Sequence, residues 1–355
     1  MGKIFVHCGL HKTGSTALQD VFGTRADELR KAGFFFPRTG VPADLSGQHN
    51  IAWQIAKDRR FGQSTGDLDA LAAEIDGYEG NIILSSEDFE SSLAHTDRLL
   101  PLLQLARSAG RSIVFIVYFR NQNSYLESLY QEMLKHGFGD EYADSFNSVY
   151  SNGVLHIKDW EFHFDYWRIA TILSSFSDVT IVFRNYHALL ENSLIVDFCS
   201  MIGLTPSILG SSVNFRANVR AAIITSLARF YQNRVGRDLD HYEKEALSRL
   251  CSGKDLIGLG SSKKLRSLLE NKFSASNAQL FDRYNLPCSG FLPSYDNMVP
   301  PARALDIQKL FSSETENYLR NTALLLAGCR AGNYSAADTE VAEHVEAWSS
   351  WVRLG

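Results

Sequence analysis

Three short stretches of this sequence carry side chains from which chemistry on an anion can be built. In Gly9-Leu10-His11-Lys12-Thr13-Gly14-Ser15-Thr16 two glycines bracket a lysine, and Thr13, Ser15 and Thr16 add hydroxyl donors. Glycine permits backbone conformations and close approaches that a side chain blocks, and lysine brings a full charge to an oxyanion. In Ser85-Ser86-Glu87-Asp88 two carboxylates follow an apolar run, and either can take a proton from a hydroxyl. A serine capping a following helix, with the acids facing its N-terminal dipole, accounts for the same four residues. Arg120, with Ser128 eight positions on, offers forked charged donors and a hydroxyl suited to a phosphate.

Such groups need rigid supports, and the apolar spacing supplies them. Residues 3–7 read as a short buried strand, and from Ala17 the spacing of Leu18, Val21, Phe22 and Leu29 is helical. The lysine loop is therefore predicted to join a strand to a helix N-terminus, where unpartnered N–H groups and the helix dipole favour an anion. Residues 82–84 form a buried strand that turns polar at Ser85. Ligand chemistry in open α/β sheets gathers at such carboxyl ends. Residues 112–119, without a polar interruption after Ser112, suit a parallel strand covered on both faces. A helix with an apolar stripe at Leu126, Leu129, Met133 and Leu134 follows it.

The remaining elements alternate in the same way over the first part of the chain. We expect a short strand at 33–37, a loop over 37–50, helices at 51–57, 67–75, 160–172 and 194–204, and a strand at 178–184. His49 reads as a loop or helix-cap residue, with a site role as the alternative. Residues 137–158 lack periodicity and suit either an acceptor-binding insertion, with aromatics between Phe138 and Tyr150 to stack on sugars, or a surface loop. Beyond about residue 211 only helices are expected, at 221–234, 241–250, 264–285 and 306–327, separated by loops at 252–255 and 258–262. Residues 333–355 read as a loosely attached amphipathic tail. The fold class is α/β with a central parallel sheet, divided into a core at 1–210 and a helical extension at 211–355.

Composition narrows the function further. The chain has 355 residues, 45% of them hydrophobic and 21% charged, as in soluble globular proteins. A net charge of −5 gives no support to nucleic-acid binding. No apolar stretch reaches membrane-span length, and the first strand begins almost at Met1, leaving no room for a signal peptide. Five scattered cysteines form neither a disulfide framework nor a metal pattern. Together these features suggest a cytoplasmic protein; its oligomeric state does not follow from them.

The order K-T-G-S-T after a strand is not the usual nucleotide-triphosphate pattern, whose lysine follows the second glycine. It resembles the 5′-phosphosulfate loop of the P-loop sulfotransferases, and the chain is closest in character to the bacterial carbohydrate-type members. The resemblance covers roughly the first two hundred residues. It departs from the family at His11, where many members have proline, and at Ala17, where cytosolic members often have an aromatic residue. The resemblance implies a three-layer P-loop-type fold and the cofactor 3′-phosphoadenosine-5′-phosphosulfate (PAPS), with adenosine 3′,5′-bisphosphate as product. The acceptor would be a small molecule or glycan hydroxyl. It also implies roles: Lys12 and Glu87 in catalysis, Lys12 to Thr16 around the phosphosulfate, and Arg120 with Ser128 on the 3′-phosphate. No divalent metal is expected, because a sulfuryl group carries less charge than a phosphoryl group. Two other classes fit less well: a P-loop kinase or NTPase in which Asp88 holds Mg²⁺, and a nucleotide-binding relative that has lost the chemistry.

Overall fold

The apolar run Ser112–Phe119 lies inside a parallel sheet, as its lack of polar positions requires. The computed structural model describes residues 2–189, 194–210, 223–251, 259–291, 305–329 and 334–353. Five strands build the sheet: β1 (Lys3–Gly9), β2 (Phe34–Phe35), β3 (Asn81–Ser85), β4 (Ser112–Phe119) and, after a separate hairpin of β5 (Val154–Ile157) and β6 (Trp160–His163), β7 (Val179–Asn185). Their order is β2-β3-β1-β4-β7, all parallel, with β1 at the centre. Val6 pairs with Leu84 on one side and Phe115 on the other, so the carboxyl ends of β1, β3 and β4 come together.

Alternation along the strands assigns the two faces. Phe5, Ile83, Val114 and Ile116 form one cluster with Leu18 and Phe22 of helix Ser15–Thr24 and with Phe198 and Ile202 of helix Leu194–Ile202. Helix Thr96–Ser108 touches β4 and buries Leu99, Leu102 and Leu103. The first helix is shorter than its apolar spacing suggests: it ends at Thr24, and Ala26–Lys31 is a separate turn and a half carrying Leu29.

The described chain divides into two compact units interleaved in sequence. One holds Met1–Asn121, Gly153–Val219 and Phe273–Leu292, and includes the sheet. The other holds Gln122–Asn152, Arg220–Lys272 and Pro293–Gly355. The compositional change near residue 211 lies close to one crossing, between Val219 and Arg220, but the chain also crosses after Asn121, Asn152, Lys272 and Leu292. The second unit is mainly helical, with Gln122–Met133, Tyr142–Asn152, Ile223–Val235, His241–Cys251, Ser313–Cys329 and Tyr334–Val352 among its helices.

Several expectations need correction. Residues 160–172 are not one helix: Trp160–His163 is strand β6, paired antiparallel with β5, and the helix is Tyr166–Leu173, capped by Asp165. Lys158, at φ 56°, makes the left-handed step that turns the hairpin. Residues 137–158 are not irregular, since they hold helix Tyr142–Asn152 and β5. Tyr142 and Phe146 are buried in the second unit, so they are core rings rather than a sugar platform. That unit also holds two short parallel strands, β8 (Leu259–Gly260) and β9 (Leu305–Asp306), where only helices were expected. The C-terminal segment is no loose tail: Trp348 is fully buried and its Nε1–H donates to Thr315 Oγ1 at 3.3 Å. The loop expected at 252–255 lies outside the described residues.

Candidate active site at the carboxyl end of β1

The loop between β1 and helix Ser15–Thr24 is built by close approach. A Cβ placed on Gly9 would lie 2.6 Å from both Thr13 Oγ1 and Ser15 Oγ and 3.1 Å from His7 Nε2, so the loop folds back over this glycine. Thr13 Oγ1–H donates to Leu10 O at 2.7 Å, and Leu10 N–H donates to Tyr118 O of β4 at 3.0 Å. Lys12 and Gly14 both have left-handed backbones, at φ 67° and 88°. A lysine there is strained, and such strain gathers at functional sites. Gly14 precedes the helix without any side-chain cap, so the free N–H groups of the first turn are not consumed by a capping residue. Ser15 is buried and its Oγ has no hydrogen-bond partner. Lys12 is half-buried and Thr16 exposed.

Arg120, just past β4, reaches this loop: its Nη1 donates to Lys12 O at 2.9 Å, and its guanidinium lies 5.8 Å from the ring centre of Tyr186. The Tyr186 hydroxyl is 4.0 Å from where a Gly14 Cβ would stand, which brings a third chain segment to the loop. Glu87 approaches from the other side, on the turn Glu87–Phe89, and accepts from Gln19 Nε2 of helix Ser15–Thr24 at 3.0 Å. Lys12, Thr13, Gly14, Ser15, Arg120 and Glu87 thus meet around one loop and its helix. Ser128 is half-buried on helix Gln122–Met133 of the second unit.

Asp88 plays a different part. Its Oδ2 accepts from His49 Nδ1 at 2.8 Å and Trp53 Nε1 at 2.9 Å, while Arg60 Nη2 lies 3.1 Å from Oδ1. His11 Nε2 is 3.7 Å from Oδ1. Burial opposes the charge on Asp88, but these partners prevail and hold its carboxyl well below the ordinary range. Arg60 is itself clasped between the indoles of Trp53 and Trp160, each ring centre 4.7 Å from Cζ. Ser86 Oγ accepts from Asp88 N–H at 3.1 Å, so the capping role expected of this serine is real. Because an ionised carboxylate only accepts, His49 Nδ1 carries a proton, and a neutral His49 has its lone pair on Nε2.

His11 is the residue whose importance its position in the sequence concealed. Its Nδ1 lies 3.1 Å from Glu90 Oε2, and the other oxygen of this buried glutamate accepts from His163 N–H at 2.9 Å. Burial disfavours an imidazolium, yet the hydrogen bonds to Asp88 and Glu90 outweigh it and raise the His11 pKa to about 10. His7, beneath the loop, goes the other way: burial lowers its pKa to about 3, and its Nδ1 meets Ser85 Oγ at 2.7 Å. Sequence reasoning gave no site role to His11, Gln19 or Tyr186. His11 gave a signal as the residue standing where proline is common in the resembling family, and Tyr186 as part of a strand-Tyr-helix run that the resemblance makes structural.

No helix among the described residues is long and apolar enough to cross a membrane. Comparison with protein-family models and with characterised proteins returns no match for this chain.

Proposed function

We propose that this chain transfers a sulfuryl group from PAPS to an acceptor hydroxyl, with a saccharide or glycan as the acceptor class. The observation that carries the reading is the loop at residues 9–16. It is an uncapped helix start on the central strand, with two left-handed residues, a half-buried lysine and an unpartnered buried hydroxyl. Those features suit an anionic, oxygen-rich group such as the 5′-phosphosulfate of a nucleotide. On this reading the acceptor oxygen attacks sulfur, the bond from sulfur to the bridging phosphate oxygen breaks, and adenosine 3′,5′-bisphosphate leaves. Lys12 neutralises charge on that oxygen. Glu87 takes the acceptor proton, and Gln19 fixes one of its oxygens. Arg120 takes the 3′-phosphate; the share of Ser128 rests on the sequence resemblance.

The engagement of Asp88 speaks against the kinase alternative. A carboxylate already held by His49, Trp53 and Arg60, beside a charged His11, is a poor ligand for Mg²⁺. A thermal-shift screen decides between the readings, since at a given concentration the ligand that binds the folded chain more tightly stabilises it more. Adenosine 3′,5′-bisphosphate should raise Tm without metal, and ATP with Mg²⁺ should do so far less. The opposite ranking would favour the kinase.

A further inference from the structure

Away from the loop, His95, Glu161 and His163 converge from two elements, with one ligand atom of each lying within 4.8 Å of the others. His95 precedes helix Thr96–Ser108, while Glu161 and His163 sit two apart on β6, which puts both side chains on one face of that strand. His95 Nε2 is 2.7 Å from Glu161 Oε2, and His163 Nε2 is 3.6 Å from the same oxygen. The His163 side chain is only 4% exposed, and its Nε2 has no hydrogen-bond partner. An orphaned buried nitrogen beside a carboxylate and a second imidazole is costly unless something else satisfies it.

We propose that His95 Nε2, Glu161 Oε2 and His163 Nε2 form a binding site for a first-row transition-metal dication of the Zn²⁺ type. Two imidazoles and one carboxylate make a donor set that such ions accept and that Mg²⁺ and Ca²⁺ do not favour. For metal–ligand bonds of about 2.0–2.1 Å, tetrahedral ligand atoms stand roughly 3.3 Å apart, so only small side-chain shifts close the observed set. Arg98 Nη2 donates to Glu161 Oε1 at 2.8 Å and so fixes the carboxylate with Oε2 turned to the histidines. The metal would tie the start of helix Thr96–Ser108 to the β5–β6 hairpin. This site is independent of the sulfuryl-transfer reading, which needs no metal.

The test is isothermal titration of Zn²⁺ into full-length protein stripped with a chelator, with Mg²⁺ titrated in parallel. One Zn²⁺ per chain should bind, and Mg²⁺ should not compete. His95→Gln, at a partly exposed position, and the more buried His163→Asn should each weaken Zn²⁺ at least ~10-fold. His241→Gln, at an exposed position elsewhere, should leave it unchanged. Circular dichroism of each stripped variant confirms that the fold persists. No Zn²⁺ binding to the stripped chain, or binding equally tight in His95→Gln and His163→Asn, would overturn the proposal; the latter would move the ion to the thiols.

Discussion

Two regions flank the carboxyl end of β1, and they satisfy their polar groups in opposite ways. On the β3 side, Asp88 accepts from His49, Trp53 and Arg60, and Glu90 accepts from His11 and His163. His11 and Arg60 balance the two carboxylates. In and beneath the loop, Ser15 Oγ and the β1 residue His7's Nε2 are buried without partners, and the helix start lacks a side-chain cap. A buried network whose members are paired rigidifies its surroundings; buried groups left unpaired are tolerated where a ligand completes them. The β3 flank is therefore built as scaffold, and on the proposed function the loop is the receptor, although both are rich in the same residue types.

Four substitutions test that division, from the largest expected effect to the smallest. Asp88→Ala removes the acceptor of His49 and Trp53 and leaves His11 with Glu90 alone, while the part-exposed Arg60 keeps Asp58, so urea denaturation should show a loss of about 3 kcal/mol, the lower end of the scale for breaking a buried ion pair. A loss below about 1 kcal/mol would mean that the flank is not scaffold. Glu87→Gln should keep the fold and nucleotide affinity while sulfate transfer falls by roughly two to four orders of magnitude. Retained turnover would pass the base role to His49, whose Nδ1 is already fixed by Asp88. Lys12→Ala should cut turnover by roughly two to three orders of magnitude and also weaken nucleotide binding, because one ammonium serves ground and transition states. Ser15→Ala removes only the orphaned hydroxyl; calorimetry should find nucleotide affinity down about 10-fold and Tm unchanged or slightly raised.

His11 in the loop and His7 in β1 beneath it give the comparison a pH signature. His11 has its pKa raised to about 10, so its contribution to stability is complete below about 6.5 and is lost as pH rises toward 10. His7 has its pKa lowered to about 3, so the folded state resists its protonation, and that penalty grows as pH falls below about 6.5. Denaturation from pH 5 to 10 should show the alkaline fall in the parent chain and a flatter curve in His11→Asn. Identical alkaline slopes would remove His11 from the charged network.

How much of this could be read from the sequence depended on how local the cause was. The lysine loop, β3 and β4 announce themselves because their signals, an apolar run followed at once by glycine or polar residues, lie within a few positions. The hairpin did not: Trp160, Phe162, Phe164 and Tyr166 alternate with period two over too few residues before the helical spacing of the following segment, so 160–172 reads as one helix. Trp348 belonged to an apparent tail because nothing nearby shows that Thr315 receives its N–H. The Asp88 network was the least legible part. Its partners His11, His49 and Arg60 come from three separate segments, so neither its saturation nor the charge on His11 has a local pattern. Only the placement of Asp88 and Glu87 at a strand end could be foreseen, and their roles diverge because their neighbours differ.

The central claim is that the loop at 9–16 and Arg120 hold a nucleotide by phosphates at both its 5′ and 3′ positions. Isothermal titration of adenosine 3′,5′-bisphosphate and of AMP into the metal-free chain tests it most directly. The bisphosphate should bind at least 10-fold more tightly, a difference of about 1.4 kcal/mol, and Arg120→Ala should erase that preference. Equal affinity for the two nucleotides in the parent chain, or a preference untouched by Arg120→Ala, would contradict it.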